Sequence, residues 1–221
     1  MARCCFRSAD PGFFHHGNHH NSLIVVFLWY QEGLAPLKAL THGALNGLSA
    51  LSTTGFSSLP VGDMENGTKL ILMVSMATGG CAGSTAGGIK IIRLLIVFRL
   101  IYLLIQRAGA PSQAVLEARL NGKKLGADEI LNAMCLVVLF PCIMLLSWLP
   151  FLFWGYAPLD SLFEVVSALG TAGISAGITS SELPVLLKGI LCADMLLGRL
   201  EIIAWLVIFY PGTWIGLRKE K

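Results

Sequence analysis

Residues 129–153 form an apolar segment that is long enough to cross a lipid bilayer as a single helix. The hydrocarbon core of a bilayer is about 30 Å thick, so a spanning helix needs about 20 predominantly apolar residues. Residues 184–210 form a second such segment, and residues 68–105 form a longer one that is interrupted by glycines. Within lipid, every backbone amide must be satisfied by the protein itself, which restricts spanning structures to helices and closed barrels. The three segments therefore predict membrane-embedded helices.

The composition agrees with this interpretation. Hydrophobic residues make up 55% of the chain and charged residues only 13%, whereas about 25% of the residues of a soluble domain are charged. The net charge of +3 is small, and the basic residues lie between the apolar segments, so no nucleic-acid partner is predicted. We expect an all-α integral membrane protein that contacts membrane lipid.

Two shorter segments between the apolar runs are copies of each other. Residues 49–57 and residues 167–175 agree at six of nine positions, at a spacing of 118 residues. An Ala-Pro-Leu tripeptide precedes each copy, beginning at Ala35 and at Ala157. An internal repeat of this kind indicates two copies of one structural unit.

Each copy is typical of a short helix that ends at an extended segment. Proline suits the first position of a helix, and we expect helices over residues 36–52 and 158–169. At 1.5 Å per residue the second helix would cover about 18 Å, roughly half a bilayer. The Thr-x-Gly sequences that follow predict two re-entrant pore helices with filter segments over residues 53–57 and 170–175.

Charged residues indicate the orientation of the chain in the membrane. Basic residues occupy the linker over residues 106–128 and the tail over residues 218–221, whereas acidic residues are common around the repeated segments. Lys69 is the main exception to this pattern. Because basic loops face the cytoplasm, the linker should be cytoplasmic and both filters should face outward.

The predicted fold is all-α, with two units of the order span, pore helix, filter, span. The first unit covers residues 23–105, the second covers residues 129–217, and a polar tail covers residues 1–22. The apolar run at residues 23–30 is too short for a span. The first span of the first unit is therefore predicted to be truncated.

The extended segments have the composition of an ion filter. Glycine adopts backbone conformations that are closed to other residues, and carbonyl oxygens around a common axis can replace the hydration shell of a cation. The threonines can add hydroxyl oxygens. Tight helix packing through small residues is the alternative. The candidate filter residues are Thr53, Thr54, Gly55, Phe56, Thr171, Ala172, Gly173 and Ile174.

Three motifs resemble the Trk/Ktr/HKT family of potassium transporters. They are residues 52–56, the glycine-rich residues 79–90 and residues 198–201. The resemblance covers about residues 35–217 and is strongest to the C-terminal half of the bacterial Trk-type membrane subunit. It implies four filter units around one pore, of which this chain matches the third and the fourth.

The resemblance also implies a biological setting. K+ would be the transported ion, with no cofactor in this chain and no metal beyond that ion. The protein would be a homodimer and a multi-pass protein of the bacterial inner membrane. A cytoplasmic nucleotide-binding subunit of TrkA or KtrA type would regulate it. The alternative is a truncated, non-conducting fragment with a structural or assembly role.

The glycine-rich segment predicts an intramembrane loop over residues 78–88, below the filter. In the family that this chain resembles, the matching loop acts as a gate, and Arg199 could donate hydrogen bonds to its carbonyls. A glycine hinge without a gating role is the alternative, and Asp194 or Glu201 could instead be the partner of Arg199. The candidate gate residues are Gly79, Gly80, Gly83, Ser84, Thr85, Gly87, Gly88 and Arg199.

A membrane hydrolase that uses Ser84 or Cys81 is the rival from another functional class. It would need a base at membrane depth, but all five histidines lie at or before His42. The sequence therefore predicts a transporter and not an enzyme.

Overall fold

The computed structural model describes residues 22, 24–30, 33, 35–80, 86–109, 119–120 and 123–199. Residues 24–30 are helical, and a 3₁₀ turn covers Val61–Asp63. The further elements are α1 Pro36–Ser52, α2 Asn66–Thr78, α3 Ile91–Gly109, β1 Arg119–Leu120, β2 Lys123–Lys124, α4 Ala127–Phe153, α5 Pro158–Leu169 and α6 Val185–Arg199.

The regular secondary structure of the described residues is helical apart from one short hairpin. β1 pairs with β2 in antiparallel register, with Arg119 opposite Lys124. The hairpin lies in the predicted linker, where the sequence indicates no strand. Residues 1–21 of the predicted tail and residues 200–221, which include the end of the predicted last span, lie outside the described residues.

Helices α1 and α5 coincide with the two half-helices that the repeat predicts. Each begins with proline and follows an alanine whose backbone is extended, at ψ of 141° for Ala35 and 127° for Ala157. Proline lacks an N–H and has a fixed φ, so it fits the first helical position. The helices have 17 and 12 residues, and their assignment as pore helices stays a prediction.

Helix α4 has 27 residues and is the one helix in the described residues that is long and apolar enough to cross a membrane. It contains Pro141 and Pro150, which are tolerated in membrane helices because neighbouring groups satisfy the freed carbonyls. A large exposed apolar surface marks a membrane or protein contact. On α4 this surface comprises Leu131, Met134, Val138, Leu145, Leu146 and Leu149.

Helices α2 and α3 divide the long apolar stretch at residues 68–105. Helix α2 ends at Thr78, and Gly79 follows at a positive φ of 63°. The described residues between this glycine and Ile91 are not helical. The glycine-rich segment therefore separates two helices, as its composition predicts.

Helix α5 lies at the centre of the described structure. Phe163 and Val166 pack with α2 in one hydrophobic cluster, whose α2 members include Leu72, Met73 and Met76. On another side of α5, Val165 packs with α4 and α6 in a second cluster, together with Phe151, Leu187 and Leu191. The apolar contacts of α5 thus join the two units.

A buried ion pair also joins the two units. Lys69 Nζ of α2 lies 2.7 Å from Asp160 Oδ1 of α5, and it donates a hydrogen bond to the Gly62 carbonyl at 2.9 Å. The Lys69 side chain is only 5% exposed. Lys69, the exception to the predicted charge pattern, is thus a buried cation that pairs with a carboxylate of the other unit.

Candidate functional site

The last turn of α1 ends in a Schellman motif that places a threonine in a left-handed conformation. The Thr53 N–H donates to the Ala50 carbonyl at 3.3 Å, and the Thr54 N–H donates to the Ser49 carbonyl at 3.0 Å. Thr53 has φ 52° and ψ 42°. Glycine usually occupies this position, so a β-branched residue here is a backbone outlier.

The last turn of α5 repeats this geometry. The Thr171 N–H donates to the Ala168 carbonyl at 3.0 Å, and the Ala172 N–H donates to the Ser167 carbonyl at 2.9 Å. Thr171 also has a φ of 52°. Each such residue costs about 1–3 kcal/mol, and outliers of this kind cluster at functional sites. The sequence repeat is therefore also a repeat of backbone conformation.

The two predicted filter segments lie against each other. Gly55 and Gly173 have positive φ values of 90° and 78°. A Cβ added to Gly55 would lie 2.5 Å from the carbonyl oxygen of Ala172, whereas a Cβ added to Gly173 would meet no atom of the described residues within 4 Å. The contact brings two of the predicted filter segments together and leaves one side of the second segment open.

The candidate filter side chains differ in their exposure. Ala172 and Ile174 are buried in the hydrophobic cluster between α2 and α5. Phe56, in contrast, is 71% exposed. The second segment is thus fixed to the core by alternate side chains, and the first presents an aromatic ring at its outer surface.

The described ends of the glycine-rich loop reach the base of the second filter segment. The Ile89 N–H donates to the Ala77 carbonyl at 2.9 Å, which folds the loop back onto the end of α2. A Cβ added to Gly87 would collide with the Gly170 carbonyl and lie 2.5 Å from Thr171 Oγ1. Gly79, Gly80 and Gly88 are also among the described residues, while Gly83, Ser84 and Thr85 lie outside them.

The C-terminal end of α6 reaches the same place. A Cβ added to Gly198 would collide with the Leu169 carbonyl and lie 3.2 Å from Thr171 Cγ2. Arg199, the next residue, is exposed. The loop, the second filter segment and the residue before Arg199 therefore meet around Thr171, and the proposed hydrogen bonds from Arg199 to the loop stay a prediction.

Asp194, a candidate partner of Arg199, contacts α4. Its Oδ1 accepts a hydrogen bond of 2.7 Å from Ser147 Oγ, and its side chain is 1% exposed. Glu201 lies outside the described residues. The hydrogen bond to Ser147 gives Asp194 a role in packing α6 against α4.

Two buried polar residues of the site do not appear among the candidates from sequence. Asn46 Oδ1 accepts a hydrogen bond from the Ser58 N–H at 2.9 Å, and Glu164 Oε1 accepts one from the Ala176 N–H at 3.0 Å. The two acceptors are 118 positions apart in sequence, which is also the spacing of the filter repeat. Extending the repeat alignment back into the helices at the same spacing would have paired Asn46 with Glu164, because each is a polar residue within an apolar helix.

These features define a helical protein with an internal repeat of both sequence and backbone geometry. The same fold occurs in the crystal structure of the potassium transporter TrkH from Vibrio parahaemolyticus, with a TM-score of 0.79. That match has 23% sequence identity and covers 91% of this chain and 44% of the other.

The chain belongs to the family described as TrkH: Cation transport protein, which it matches over residues 24–213. An uncharacterized cation transporter of Methanocaldococcus jannaschii is 35% identical over 174 residues, which are 79% of this chain and 37% of that protein. The Trk system potassium uptake protein TrkH of Halomonas elongata is 32% identical over 197 residues, 86% of this chain and 40% of that protein.

Family membership confirms the resemblance that the sequence motifs indicate. The relatives are transporters, so the prediction that the chain is not an enzyme is also confirmed. The chain spans less than half the length of these curated relatives.

Proposed function

We propose that this chain is the half of a Trk-type potassium transporter that carries the third and fourth filter units, in which K+ passes along residues 53–56 and 171–174. The observation that carries the proposal is the contact between two segments of equal backbone geometry. Thr53 and Thr171 share a φ of 52°, and Gly55 lies against the Ala172 carbonyl. Potassium as the transported ion is supported by the name of the relative in Halomonas elongata, a potassium uptake protein.

The ends of α1 and α5 favour a cation beside these segments. The C-terminal end of a helix carries about half a negative charge from its unsatisfied carbonyls. Helix α1 ends at Ser52, directly before Thr53, and α5 ends at Leu169, two residues before Thr171. Carbonyl oxygens in the extended segments then replace the water around the ion. The chain needs no cofactor for this role, because K+ is cargo.

The loop at residues 78–88 is proposed to be the gate below the filter. Its support is the contact of Gly87 with Gly170 and Thr171 at the base of the second segment. Small residues suit a loop that lies this close to another backbone, because a Cβ would collide there. Arg199 is proposed to hold the closed loop through its guanidinium, whose fork offers five donors. A glycine hinge that only separates α2 from α3 is the competing role.

Further filter units are proposed to complete the pore. Leu45 and Leu48 of α1 are 46% and 56% exposed, whereas Phe163 and Val166, which lie 118 positions further on, are 0% and 3% exposed. Helix α2 covers the α5 pair, so an equivalent helix of another unit would cover the α1 pair. The open side of Gly173 supports the same arrangement.

The assembly, the location and the regulatory partner of the chain are proposed from its family membership. The names of the relatives refer to a Trk system, which supports a regulated assembly of several components. We propose a homodimer in the bacterial inner membrane with a cytoplasmic nucleotide-binding subunit of TrkA or KtrA type. The competing proposal is a non-conducting fragment with an assembly role. Its support is that the chain spans less than half the length of these relatives.

Rubidium uptake by a potassium-uptake-deficient host tests the function. The chain is expressed with the units that complete its transporter, carrying either Gly173→Asp or the control Gly155→Asp. Both glycines have nearly the same φ, 78° and 79°, and at neither would an added Cβ lie within 4 Å of an atom in the part of the chain that the structure describes. Backbone strain is therefore matched, and only Gly173 lies in the filter.

We expect Gly173→Asp to abolish uptake, because a side chain and a fixed charge disrupt the carbonyl array. The Gly155→Asp control should retain uptake. Full uptake by Gly173→Asp at matched expression would contradict the filter assignment. A fragment with only an assembly role likewise predicts full uptake for both variants.

A further inference from the structure

Two buried side chains anchor the far ends of the filter segments. Each extended segment begins at a Schellman motif, which fixes its first residue to the helix. Its last residues, Ser57 and Ser175, are followed by Ser58 and Ala176, whose amides bond back to Asn46 and Glu164. The extended backbone is therefore held to one helix at both of its ends.

Glu164 makes the larger of the two anchors. Its Oε1 accepts hydrogen bonds from the Ala176 N–H at 3.0 Å and from Ser175 Oγ at 2.6 Å, and its Oε2 accepts one from Thr179 Oγ1 at 2.8 Å. Ser175 Oγ in turn accepts a bond of 3.0 Å from the Gly177 N–H. The Glu164 side chain is almost fully buried, and buried polar groups of this kind are costly to leave unpaired.

Asn46 makes the equivalent anchor in the first unit. Its Oδ1 accepts from the Ser58 N–H at 2.9 Å and from Ser58 Oγ at 3.2 Å. Asn46 is 2% exposed. The two acceptor residues are 118 positions apart, and so are the two residues whose backbone N–H groups they accept. A carboxamide side chain and a carboxyl side chain therefore occupy the same place in the two units. The shared feature is one acceptor oxygen at a fixed position, and not a shared charge.

The anchor in the second unit also lies at the contact between the units. A Cβ added to Gly62 would lie 2.7 Å from the Ala176 carbonyl oxygen, and the Gly62 carbonyl accepts the hydrogen bond from Lys69. Ala176 is thus fixed through its N–H by Glu164 and is in close contact with Gly62 through its carbonyl. A shift of Ala176 would therefore alter its close contact with Gly62.

We propose that Asn46 and Glu164 are positioning residues of the filter, which set its ion selectivity by holding Ser58 and Ala176 through an acceptor oxygen. This inference rests on the proposed transport function. It predicts that Glu164→Gln preserves the filter, because the amide oxygen replaces Oε1 and the amide NH2 can donate to Thr179 Oγ1. Glu164→Leu, which has no acceptor, should release the segment.

Amide hydrogen exchange of the purified chain tests the anchoring independently of transport. In Glu164→Leu, the Ala176 amide should exchange about tenfold faster or more, since a hydrogen bond to a charged group is lost. The Ser58 amide should be unchanged, which serves as an internal control for folding. Asn46→Leu should give the reciprocal result, and Glu164→Gln should leave both amides protected.

The ratio of rubidium to sodium uptake by the complete transporter tests the effect on selectivity. We expect this ratio to fall in Glu164→Leu and to be retained in Glu164→Gln. Unchanged protection of Ala176 in Glu164→Leu would overturn the anchoring role. Lost protection of Ala176 with an unchanged uptake ratio would overturn the effect on selectivity. An equal fall of the ratio in Glu164→Gln would overturn the role of the acceptor oxygen, because it would assign the effect to the charge. If the Gly173→Asp transporter retains uptake, the proposed function fails, while the exchange result still decides the anchoring.

Discussion

The ion pair between Lys69 and Asp160 should contribute more to stability than any exposed charge of this chain, because it lies between the two units. The pair joins the first turn of α2 to the first turn of α5 at 2.7 Å. We consider three variants, Lys69→Met, Asp160→Asn and the double variant. Lys188→Met serves as the control, because Lys188 also lies in the first turn of its helix and donates to the Ser181 carbonyl at 2.6 Å.

The burial of the two partners sets the expected magnitudes. Removal of one partner of a buried ion pair costs about 3–5 kcal/mol, because the other charge is left unpaired. Lys69 is 5% exposed and Asp160 is 29% exposed. Asp160→Asn leaves the more buried charge alone with the Gly62 carbonyl, so we expect a loss of about 3 kcal/mol. Lys69→Met leaves a carboxylate that water can reach, and we expect a loss of about 1.5 kcal/mol.

The double variant separates the interaction energy of the ion pair from the contributions of the two individual side chains to stability. Asp160 also lies in the first turn of α5, where its charge favours the helix by about 0.3–1 kcal/mol. The double-mutant cycle removes that contribution, and we expect a coupling energy of about 1–3 kcal/mol. The control Lys188→Met should lose only about 1 kcal/mol, because it removes a single hydrogen bond near the surface.

Urea unfolding of the purified chain in detergent, followed by tryptophan fluorescence, measures these free energies. Trp148 is a suitable reporter, because its Nε1–H donates to the Pro158 carbonyl and to Ser161 Oγ near the ion pair, both at 3.0 Å. Two results would contradict this expectation. One is a loss of unfolding free energy in Asp160→Asn that is no larger than in Lys188→Met. The other is a loss in the double variant that equals the sum of the two single losses.

Two further predictions concern transport. Reconstituted alone, the chain should show no potassium-selective flux in liposomes, because two filter segments line only part of a pore; a selective flux would mean that two copies complete a pore by themselves. In the complete transporter, Arg199→Ala and deletion of residues 82–86 should each raise rubidium uptake about tenfold, the effect of one lost charge-assisted hydrogen bond on a closed–open equilibrium. The combined variant should add little, and an unchanged or lower uptake in Arg199→Ala would show that the arginine does not hold the gate.

Local sequence signals predicted the helices that carry the site. A proline marks the start of each helix and a Thr-x-Gly sequence follows its end, and both signals depend only on neighbouring residues. The expected ranges 36–52 and 158–169 therefore coincide with α1 and α5. The glycine-rich segment likewise separates α2 from α3. The bilayer-length apolar run at residues 129–153 lies within α4.

Contacts between distant segments were not predictable in this way. Lys69 and Asp160 are 91 positions apart, so the charge pattern showed Lys69 only as an exception and did not indicate its partner. Glu164 contacts residues 11 to 15 positions away across a turn, and no local periodicity marks such an acceptor. The hairpin of β1 and β2 has two residues in each strand, too few for an alternating pattern to be recognised.

We propose that residues 53–56 and 171–174 together line one cation path. Anomalous scattering from Tl+ bound to crystals of the complete transporter tests this claim most directly, because it locates the ion itself. We predict a Tl+ peak between the two segments, within coordination distance of backbone oxygens from both, which K+ displaces and Gly173→Asp removes. A peak bound only elsewhere in the protein, with none between the Gly55 and Gly173 segments, would contradict the account.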